Sequence, residues 1–222
     1  MSTHTQLHSL YQDCVNCPNT EAVCPGIWRD AAKGIIPDGF YFKTIPVDIL
    51  VVGKNTGHPN ASEKKKYAGL SGEPLYKKLR VTSDEFFQTK KWSKQKDAFS
   101  RNLAEYLCHI LDVKEEDIFS RIAFTNLVKC RTKDESGKLH KRTMEKCFQR
   151  YLKHEVALLK PKVILALGRE AEEFLLRKSW RYLNVPVVYV KHPSYHYKKE
   201  EEAAKLNDIK EEINYFLNTG DG

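Results

Sequence analysis

The chain has 222 residues, of which 41% are hydrophobic, and carries a formal charge of +8 with a pI near 9.0. This composition is typical of a globular protein, and with no run of 18 uncharged apolar residues and no basic-then-apolar start, we expect a cytoplasmic protein without membrane contact. The positive charge fits a partner covered with phosphates, although lysines that serve only solubility would give the same value.

The N-terminal segment, residues 1–46, contains three of the six cysteines: Cys14, Cys17 and Cys24. Cys14 and Cys17 form a C-x2-C motif, which in a reducing compartment favours a metal site over a disulfide. Cys130 and Cys147 could provide a second pair, and four thiolates can bind either zinc or an iron-sulfur cluster. Cys24 could replace one of these ligands. The sixth, Cys108, lies in an apolar helical stretch, where we expect a small buried hydrophobic residue.

Helices and strands then alternate along the chain. Residues 24–46 are rich in Pro and Gly and precede a short apolar strand at 48–53. The later elements are listed in order: a helix at 98–113, a strand at 121–130, a polar loop at 131–142, a helix at 143–160, a strand at 161–168, a helix at 169–180, a strand at 185–192 and a closing amphipathic helix at 200–218. Strands separated by helices indicate a parallel sheet covered on both faces.

We therefore predict one α/β domain over residues 1–222, a three-layer α/β/α sandwich with a central, mainly parallel sheet and the 1–46 segment packed on it. In open parallel sheets ligands bind at the carboxyl ends of the strands. The segments that follow three predicted strands are 53–58, 125–131 and 191–196, and they are rich in polar residues. We expect these segments to converge although they are far apart in sequence.

Six segments in this order resemble the uracil-DNA glycosylase superfamily, especially its iron-sulfur branch, usually called family 4. They are CVNC, VVGKNTG, YAGLSGEPLYKKL, FTNLVKCR with the later Cys147, LLKPKVILALGREA and HPSYH, and together they cover most of the chain. The resemblance implies a monomeric DNA repair glycosylase that flips uracil out of DNA and hydrolyses the N-glycosidic bond with water, leaving an abasic site. It also implies that Cys14, Cys17, Cys130 and Cys147 bind a [4Fe-4S] cluster, in preference to zinc, with a structural role.

The first motif departs from that branch. Family 4 carries a glutamate directly after the first glycine, whereas Lys54 and then Asn55 follow Gly53 here. The sequence instead resembles the G-x-N-P-G motif of the mismatch-specific and single-strand-selective branches, with Thr56 in place of proline. There the asparagine holds the attacking water, and an amide orients water rather than deprotonating it. The alternative is that Asn55 only shapes a turn.

Gly53, Tyr67 and Asn126 correspond to base-binding residues of the superfamily. Tyr67 takes the place of a phenylalanine that stacks on the flipped base, although an ordinary core tyrosine is the alternative. Asn126 offers a donor and an acceptor that match O4 and N3–H of uracil, whereas cytosine presents the opposite pattern. An asparagine that only caps a strand end is the alternative for that position.

His192 begins the HPSYHY segment and corresponds to the histidine that faces uracil O2, where a hydrogen-bond donor stabilises the charge on the departing base. Ser194 would contact phosphate, and Tyr195, His196 or Tyr197 would wedge into the gap left by the base. His58 is another imidazole close in sequence to the Asn55 motif. Together with Asn55, His192 is the expected catalytic residue.

Several alternatives remain open at this point. A glycine at position 57, where other uracil enzymes carry a bulky aromatic, removes one barrier to thymine, and the Lys54-Asn55 departure leaves room for another deaminated base such as hypoxanthine. A non-catalytic protein that binds uracil-containing DNA would retain the same scaffold. A thiol-metal protein that binds nucleic acid through lysine-rich loops at 64–66 and 90–96 would need neither Asn55 nor His192.

Overall fold

The computed structural model describes residues 2–17, 23–27, 40–42, 45–55, 57, 60–89, 91–95, 97–133, 137–195 and 197–219. The α-helices of this part are α1 (Thr3–Val15), α2 (Ala61–Tyr67), α3 (Gly72–Asp84), α4 (Ala98–Leu111), α5 (Lys141–Cys147), α6 (Lys153–Leu159), α7 (Arg169–Lys178) and α8 (Lys199–Thr219). The strands are β1 (Phe40–Phe42), β2 (Ile49–Gly53), β3 (Ile122–Asn126), β4 (Val163–Leu167) and β5 (Val187–Val190). Short 3-10 segments lie at Trp92–Lys94 and Glu115–Ser120, and π-helical segments at Glu85–Thr89, Phe148–Leu152 and Ser179–Leu183.

The five strands form one sheet in the order β1-β3-β2-β4-β5. Strand β4 pairs in parallel with both β2 and β5, with Ile49 opposite Val163 and Ile164 opposite Val187. Every residue of β2, β3 and β4 is buried, as expected for strands covered on both faces. The predicted α/β class with a central, mainly parallel sheet is confirmed.

Four helices and strands, α1, β1, α2 and α3, lie where the sequence indicated no regular structure. The apolar residues Leu7, Tyr11, Cys14 and Val15 recur at helical spacing and form the buried face of α1. Strand β1 is made of three aromatic residues, which favour extended backbone, within the Pro- and Gly-rich stretch. The single helix predicted at 143–160 is divided into α5, a π-helical segment and α6.

The chain divides into two compact units. The first consists of Met1–Phe40, Lys54–Phe86 and Thr125–Leu158, and the second of Tyr41–Gly53, Phe87–Phe124 and Leu159–Gly222. The expectation of one domain over residues 1–222 stays a prediction.

The second unit has an aromatic core around α4. Phe87 packs its ring against Trp92, Phe119 and Phe124, with ring centroids 5.2 to 5.3 Å apart. The side chain of Asp97 accepts a hydrogen bond from the Ser100 amide and so caps α4 at its N-terminus.

Across the described ranges, no helix combines the length and the apolar character needed to span a bilayer.

Candidate functional site

Two loops of the first unit, which follow β2 and β3, are joined by backbone hydrogen bonds. The Val128 amide donates to the Lys54 carbonyl and the Thr132 amide to the Gly57 carbonyl, both over 2.9 Å. Gly57 has a φ of +77°, in the left-handed region that favours glycine, and a Cβ added there would meet nothing within 4 Å. The segments that contain Asn55 and Asn126 are therefore held together, whereas the convergence of residues 191–196 with them stays a prediction.

Asn126 is the last residue of β3, and its side chain is only 2% exposed. Its Nδ2 is buried without a hydrogen-bond partner among the described residues. A buried donor that lacks a partner costs free energy, about 1–3 kcal/mol, unless a bound molecule supplies an acceptor. The Nδ2 of Asn126 is therefore available to a bound molecule, and its role in base binding stays a prediction.

Asn55 shares this feature. The residue is half-buried, and its Nδ2 is likewise enclosed without a hydrogen-bond partner in the part of the chain that the structure describes. An asparagine that shapes a turn accepts a backbone N–H through its Oδ1, and that role does not engage Nδ2. The unpaired Nδ2 is available to a bound water or ligand.

Tyr67 is the last residue of α2 and is buried, with 3% exposure. Its hydroxyl donates to Thr82 Oγ1 over 3.0 Å, and Thr82 Oγ1 in turn donates to the Lys78 carbonyl over 2.9 Å. Lys66 Nζ lies 5.6 Å from the centroid of the Tyr67 ring, within the range of a cation–π contact. The hydroxyl that distinguishes Tyr67 from phenylalanine thus has a partner, and its role in stacking stays a prediction.

Helix α2 is tied to the loop after β3 through Glu63. The Glu63 carboxylate closes a capping box with Asn60 at the start of the helix, and it also forms an ion pair with Arg131. Gly53, the last residue of β2, is buried. The contacts of Glu63 therefore join α2, which ends at Tyr67, to the loop that follows Asn126 within the first unit.

His192 follows β5 in the second unit, where backbone geometry brings it against Gly168 at the start of α7. The Gly168 amide donates to the Val190 carbonyl over 2.8 Å, and Gly168 has a φ of +88°. A Cβ at position 168 would lie 3.1 Å from the Cβ of His192. Gly168 is therefore required both by its backbone conformation and by the close approach of the histidine.

The imidazole of His192 is oriented by its neighbours. Its Nδ1 accepts a hydrogen bond from the Ser194 amide over 3.2 Å, and its ring packs against Phe99 at a centroid distance of 5.5 Å. Because Nδ1 accepts, a neutral ring carries its proton on Nε2. His192 thus presents an N–H donor at Nε2.

The segment after His192 is held by α4. Asn102 Nδ2 donates to the Pro193 carbonyl over 2.6 Å, and the hydroxyl of Tyr106 donates to the Tyr195 carbonyl over 3.4 Å. Burial raises the pKa of Tyr106, with the Glu202 carboxylate adding to the effect, so the hydroxyl keeps its proton. The backbone of this turn is thus fixed while its side chains differ in exposure.

Tyr195 and Tyr197 differ in this way. Tyr195 is 66% exposed, and its ring lies 6.1 Å from that of His192. The Tyr197 hydroxyl accepts the Lys191 amide over 2.9 Å, and its ring packs against Tyr106. Ser194 is exposed. Thr56, His58 and His196 lie outside the described residues.

The four cysteines predicted to bind a cofactor are buried in the first unit, with exposures between 2% and 8%: Cys14, Cys17, Cys130 and Cys147. Burial raises the pKa of Cys14, and the charges of Cys130 and Cys147 raise it further, so the three thiols are electrostatic neighbours. Burial also raises the pKa of Cys147 to about 12, against the opposing charge of Lys129.

Hydrogen-bond donors lie against two of these sulfurs. The Lys129 amide donates to Cys147 Sγ over 3.4 Å, and Arg150 Nη1 to Cys17 Sγ over 3.0 Å. Where the structure describes the chain, no three His, Cys, Asp or Glu side chains form a group able to hold a metal ion. Cys24 is buried as well, whereas Cys108 lies in α4 of the second unit and is only partly buried, less than its apolar surroundings in the sequence suggested.

Two residues that the sequence analysis did not single out belong to this site. Lys129 and Glu155 are both fully buried and form an ion pair of 2.6 Å between Nζ and Oε2. Charged residues are almost never fully buried unless they are paired. A lysine within the apolar run after β3 and a glutamate on the apolar face of a helix were signals that could have revealed them.

Comparison with known families matches residues 40–217 to the model of the uracil DNA glycosylase superfamily. A search of curated proteins finds no match. The matched range covers more than half of the chain and includes Asn55, Tyr67, Asn126 and His192.

Replacing Gly168 with alanine should displace His192. The substitution places a Cβ 3.1 Å from that of His192 and strains a φ of +88°, so we expect a loss of about 1–3 kcal/mol in the free energy of unfolding and a changed NMR signal for the His192 imidazole. Gly137→Ala is the control, since its φ is +63° but a Cβ there meets nothing within 4 Å. An unchanged His192 signal in Gly168→Ala would contradict the close approach.

Proposed function

The chain belongs to the uracil DNA glycosylase superfamily, whose members are DNA glycosylases, and we propose that its substrate is uracil in DNA. In this proposal a water oxygen bonds to C1′ of the deoxyribose as the bond between C1′ and the base nitrogen breaks. The electron pair of that bond leaves with the base, which then gains a proton while the water loses one. The products are free uracil and an abasic site.

The buried Nδ2 of Asn126, which has no partner in the protein, is the observation on which the choice of base depends. Uracil presents an acceptor at O4 beside a donor at N3, and a carboxamide presents a donor beside an acceptor. Cytosine reverses this pattern and would leave the Asn126 donor facing the amino group of the base. Uracil therefore supplies the missing partner, whereas cytosine does not.

Asn55 is proposed to hold the attacking water. Its unpaired Nδ2 lies on the loop that is bonded through its backbone to the loop after Asn126. An amide is too weak a base to remove a proton from water, so Asn55 contributes by orientation. Charge stabilisation on the leaving base must then supply much of the rate.

His192 is proposed to supply that stabilisation. Its Nδ1 accepts a hydrogen bond from the Ser194 amide, which places the proton of a neutral ring on Nε2, and this N–H is proposed to donate to O2 of the departing base. A donor placed before the reaction stabilises the developing negative charge without reorganisation. Tyr67 would stack on the flipped base, and Gly53 would allow its close approach.

The open space at Gly57 supports a second candidate substrate. A Cβ at this position would meet nothing within 4 Å among the residues that the structure describes, and glycine itself adds no side chain that would exclude a larger base. Another deaminated base, such as hypoxanthine, is the alternative that this opening favours. A panel of modified bases separates the two.

Activity should depend on the two unpaired amides and on the histidine. With mass detection of the released base, we expect Asn55→Ala, Asn126→Ala and His192→Ala to lower uracil release by about 100-fold or more each, since each removes a group acting on the base or the water. Asn207→Ala on α8 removes an exposed asparagine and should leave the rate unchanged. If the wild-type protein releases uracil from neither single- nor double-stranded DNA, the uracil proposal is wrong; tight binding without an abasic product would favour a non-catalytic role.

Tyr195 is the proposed wedge, because it is exposed beside His192 whereas Tyr197 is engaged by Lys191 and Tyr106. Ser194 and the wedge segment, which includes His196, would contact the DNA backbone. A wedge replaces stacking that is lost on flipping, which costs a few kcal/mol in duplex DNA.

Tyr195→Ala should therefore slow uracil release from double-stranded DNA by roughly 10-fold while affecting single-stranded DNA much less. Tyr215→Ala, which removes an equally exposed tyrosine from α8, should affect neither substrate. Equal losses on both substrates would show that Tyr195 acts in another way.

Cys14, Cys17, Cys130 and Cys147 are proposed to bind a [4Fe-4S] cluster. Four buried thiols and N–H donors directed at two of their sulfurs fit such a group. In a four-iron cluster each thiolate binds a different iron, so the sulfurs need not converge on one point as they do around a single zinc ion. The cluster would supply a structural cross-link between α1, α5 and the loop after β3.

Anaerobically purified protein should be brown and contain about four irons and four sulfides per chain. Cys17→Ser and Cys147→Ser should lose most of the iron, whereas Cys108→Ser, in the other unit, should retain it. Cys24→Ser tests whether that buried thiol takes the place of one ligand. A colourless wild-type protein that contains zinc would exclude the cluster.

A further inference from the structure

The ammonium of Lys129 is completely buried and uses all three of its protons. Its Nζ donates to Glu155 Oε2 and to the Asn126 carbonyl, both over 2.6 Å, and to Thr125 Oγ1 over 2.5 Å. An ammonium has three donors, so no hydrogen-bonding capacity remains. Two of the three acceptors belong to the last two residues of β3.

Glu155 completes this group. Its Oε1 accepts a hydrogen bond from Thr125 Oγ1 over 3.0 Å, and the Tyr11 hydroxyl also hydrogen-bonds to its carboxylate. Burial raises the pKa of Tyr11, and the negative charge of Glu155 raises it further, so the hydroxyl keeps its proton. Tyr11 lies on α1, three residues before Cys14. The network therefore connects the end of β3 to α6 and α1.

Stability alone gives no reason for these charges. Replacing a buried ion pair by apolar side chains of similar size is often neutral or stabilising, because desolvation offsets the attraction. The bonds formed here are instead directional, and they act on the backbone of Asn126. Its carboxamide takes no part in the network, and its Nδ2 remains unpaired.

We infer that Lys129 and Glu155 are positioning residues, which hold the Asn126 backbone so that its carboxamide points at the base. This inference rests on the proposed function, in which Asn126 recognises uracil. Neither charged group touches the substrate. They act by fixing the residue that does.

The same turn extends the effect to the other parts of the site. The Val128 amide donates to the Lys54 carbonyl, next to Asn55, and the Lys129 amide donates to Cys147 Sγ. Displacement of the Lys129 side chain would therefore also shift the contact between the loop that contains Asn55 and the loop that follows Asn126. A displacement of about 1 Å at a site of reaction can lower the rate about 100-fold.

The test compares variants of the holoprotein in kcat, KM and choice of base. The double variant Lys129→Met/Glu155→Leu removes both charges together, since either single change would leave an unpaired buried charge. We expect kcat for uracil release to fall by about 100-fold, with less preference for uracil over cytosine and unchanged affinity for undamaged DNA. Wild-type kcat and base preference in this variant would overturn the inference.

A second pair of variants remains informative if the double variant does not fold. Thr125→Val removes the hydroxyl that joins Lys129 to Glu155, whereas Thr125→Ser keeps it. We expect Val to lower kcat by about tenfold or more and Ser to restore it, with KM unchanged in both. Thr143→Val is the matched control, because it removes another buried hydroxyl of the same unit, one that bonds to the Pro25 carbonyl. An equal loss in Thr143→Val would mean that the effect is general destabilisation.

Hydrogen exchange separates this inference from the uracil proposal. In the double variant, or in Thr125→Val if that alone folds, we expect the amides of residues 126–129 to exchange at least about tenfold faster than in wild type. If wild-type protein releases no uracil, the proposed function fails, and faster exchange still supports the positioning role. Unchanged exchange at these amides overturns the positioning role whether or not the protein is active.

Discussion

The buried ammonium of Lys129 imposes a strict condition on the first unit. An unpaired charge in the interior would cost several kcal/mol, comparable with the whole stability of a domain, so three acceptors must stay within reach of Nζ. Glu155, Thr125 and the Asn126 carbonyl meet this condition. The end of β3, helix α6 and, through Tyr11, helix α1 are thereby held in one arrangement. Helix α1 contains Cys14 and the loop after β3 contains Cys130, two of the four proposed cluster ligands.

The contrast between this satisfied network and the unsatisfied amides of Asn55 and Asn126 is informative. Most buried polar groups in proteins have partners, and the charged groups beneath Asn126 conform to this rule. The two amide nitrogens do not. Natural proteins tolerate such local costs where binding later supplies the partner, and this fits the proposed roles of Asn55 and Asn126.

In the second unit, the local structure orients the imidazole of His192. His192 is placed by the positive φ of Gly168, by a hydrogen bond from the Ser194 amide to its Nδ1 and by a ring contact with Phe99. All three act on orientation and tautomer rather than on charge. A histidine that must donate from Nε2 requires an acceptor role at Nδ1, and the turn at Ser194 provides it through the backbone. Of the two nearby tyrosines, Tyr197 hydrogen-bonds to the Lys191 amide and packs against Tyr106, whereas Tyr195 is exposed.

The sequence by itself determined the α/β class, the strand at 48–53, the order of the strands and helices from residue 98 onward, and the family, because apolar periodicity and the residues that follow each strand are local properties. Helices α2 and α3 were not predicted. It also identified Asn55, Tyr67, Asn126, His192 and the four cysteines as candidates. Only the tertiary structure revealed that two of these amides lack partners, that Thr82 satisfies Tyr67, and that Lys129 pairs with Glu155 twenty-six residues away. Burial and pairing depend on which distant residues come into contact in the folded chain, and a linear pattern of residue types does not specify those contacts.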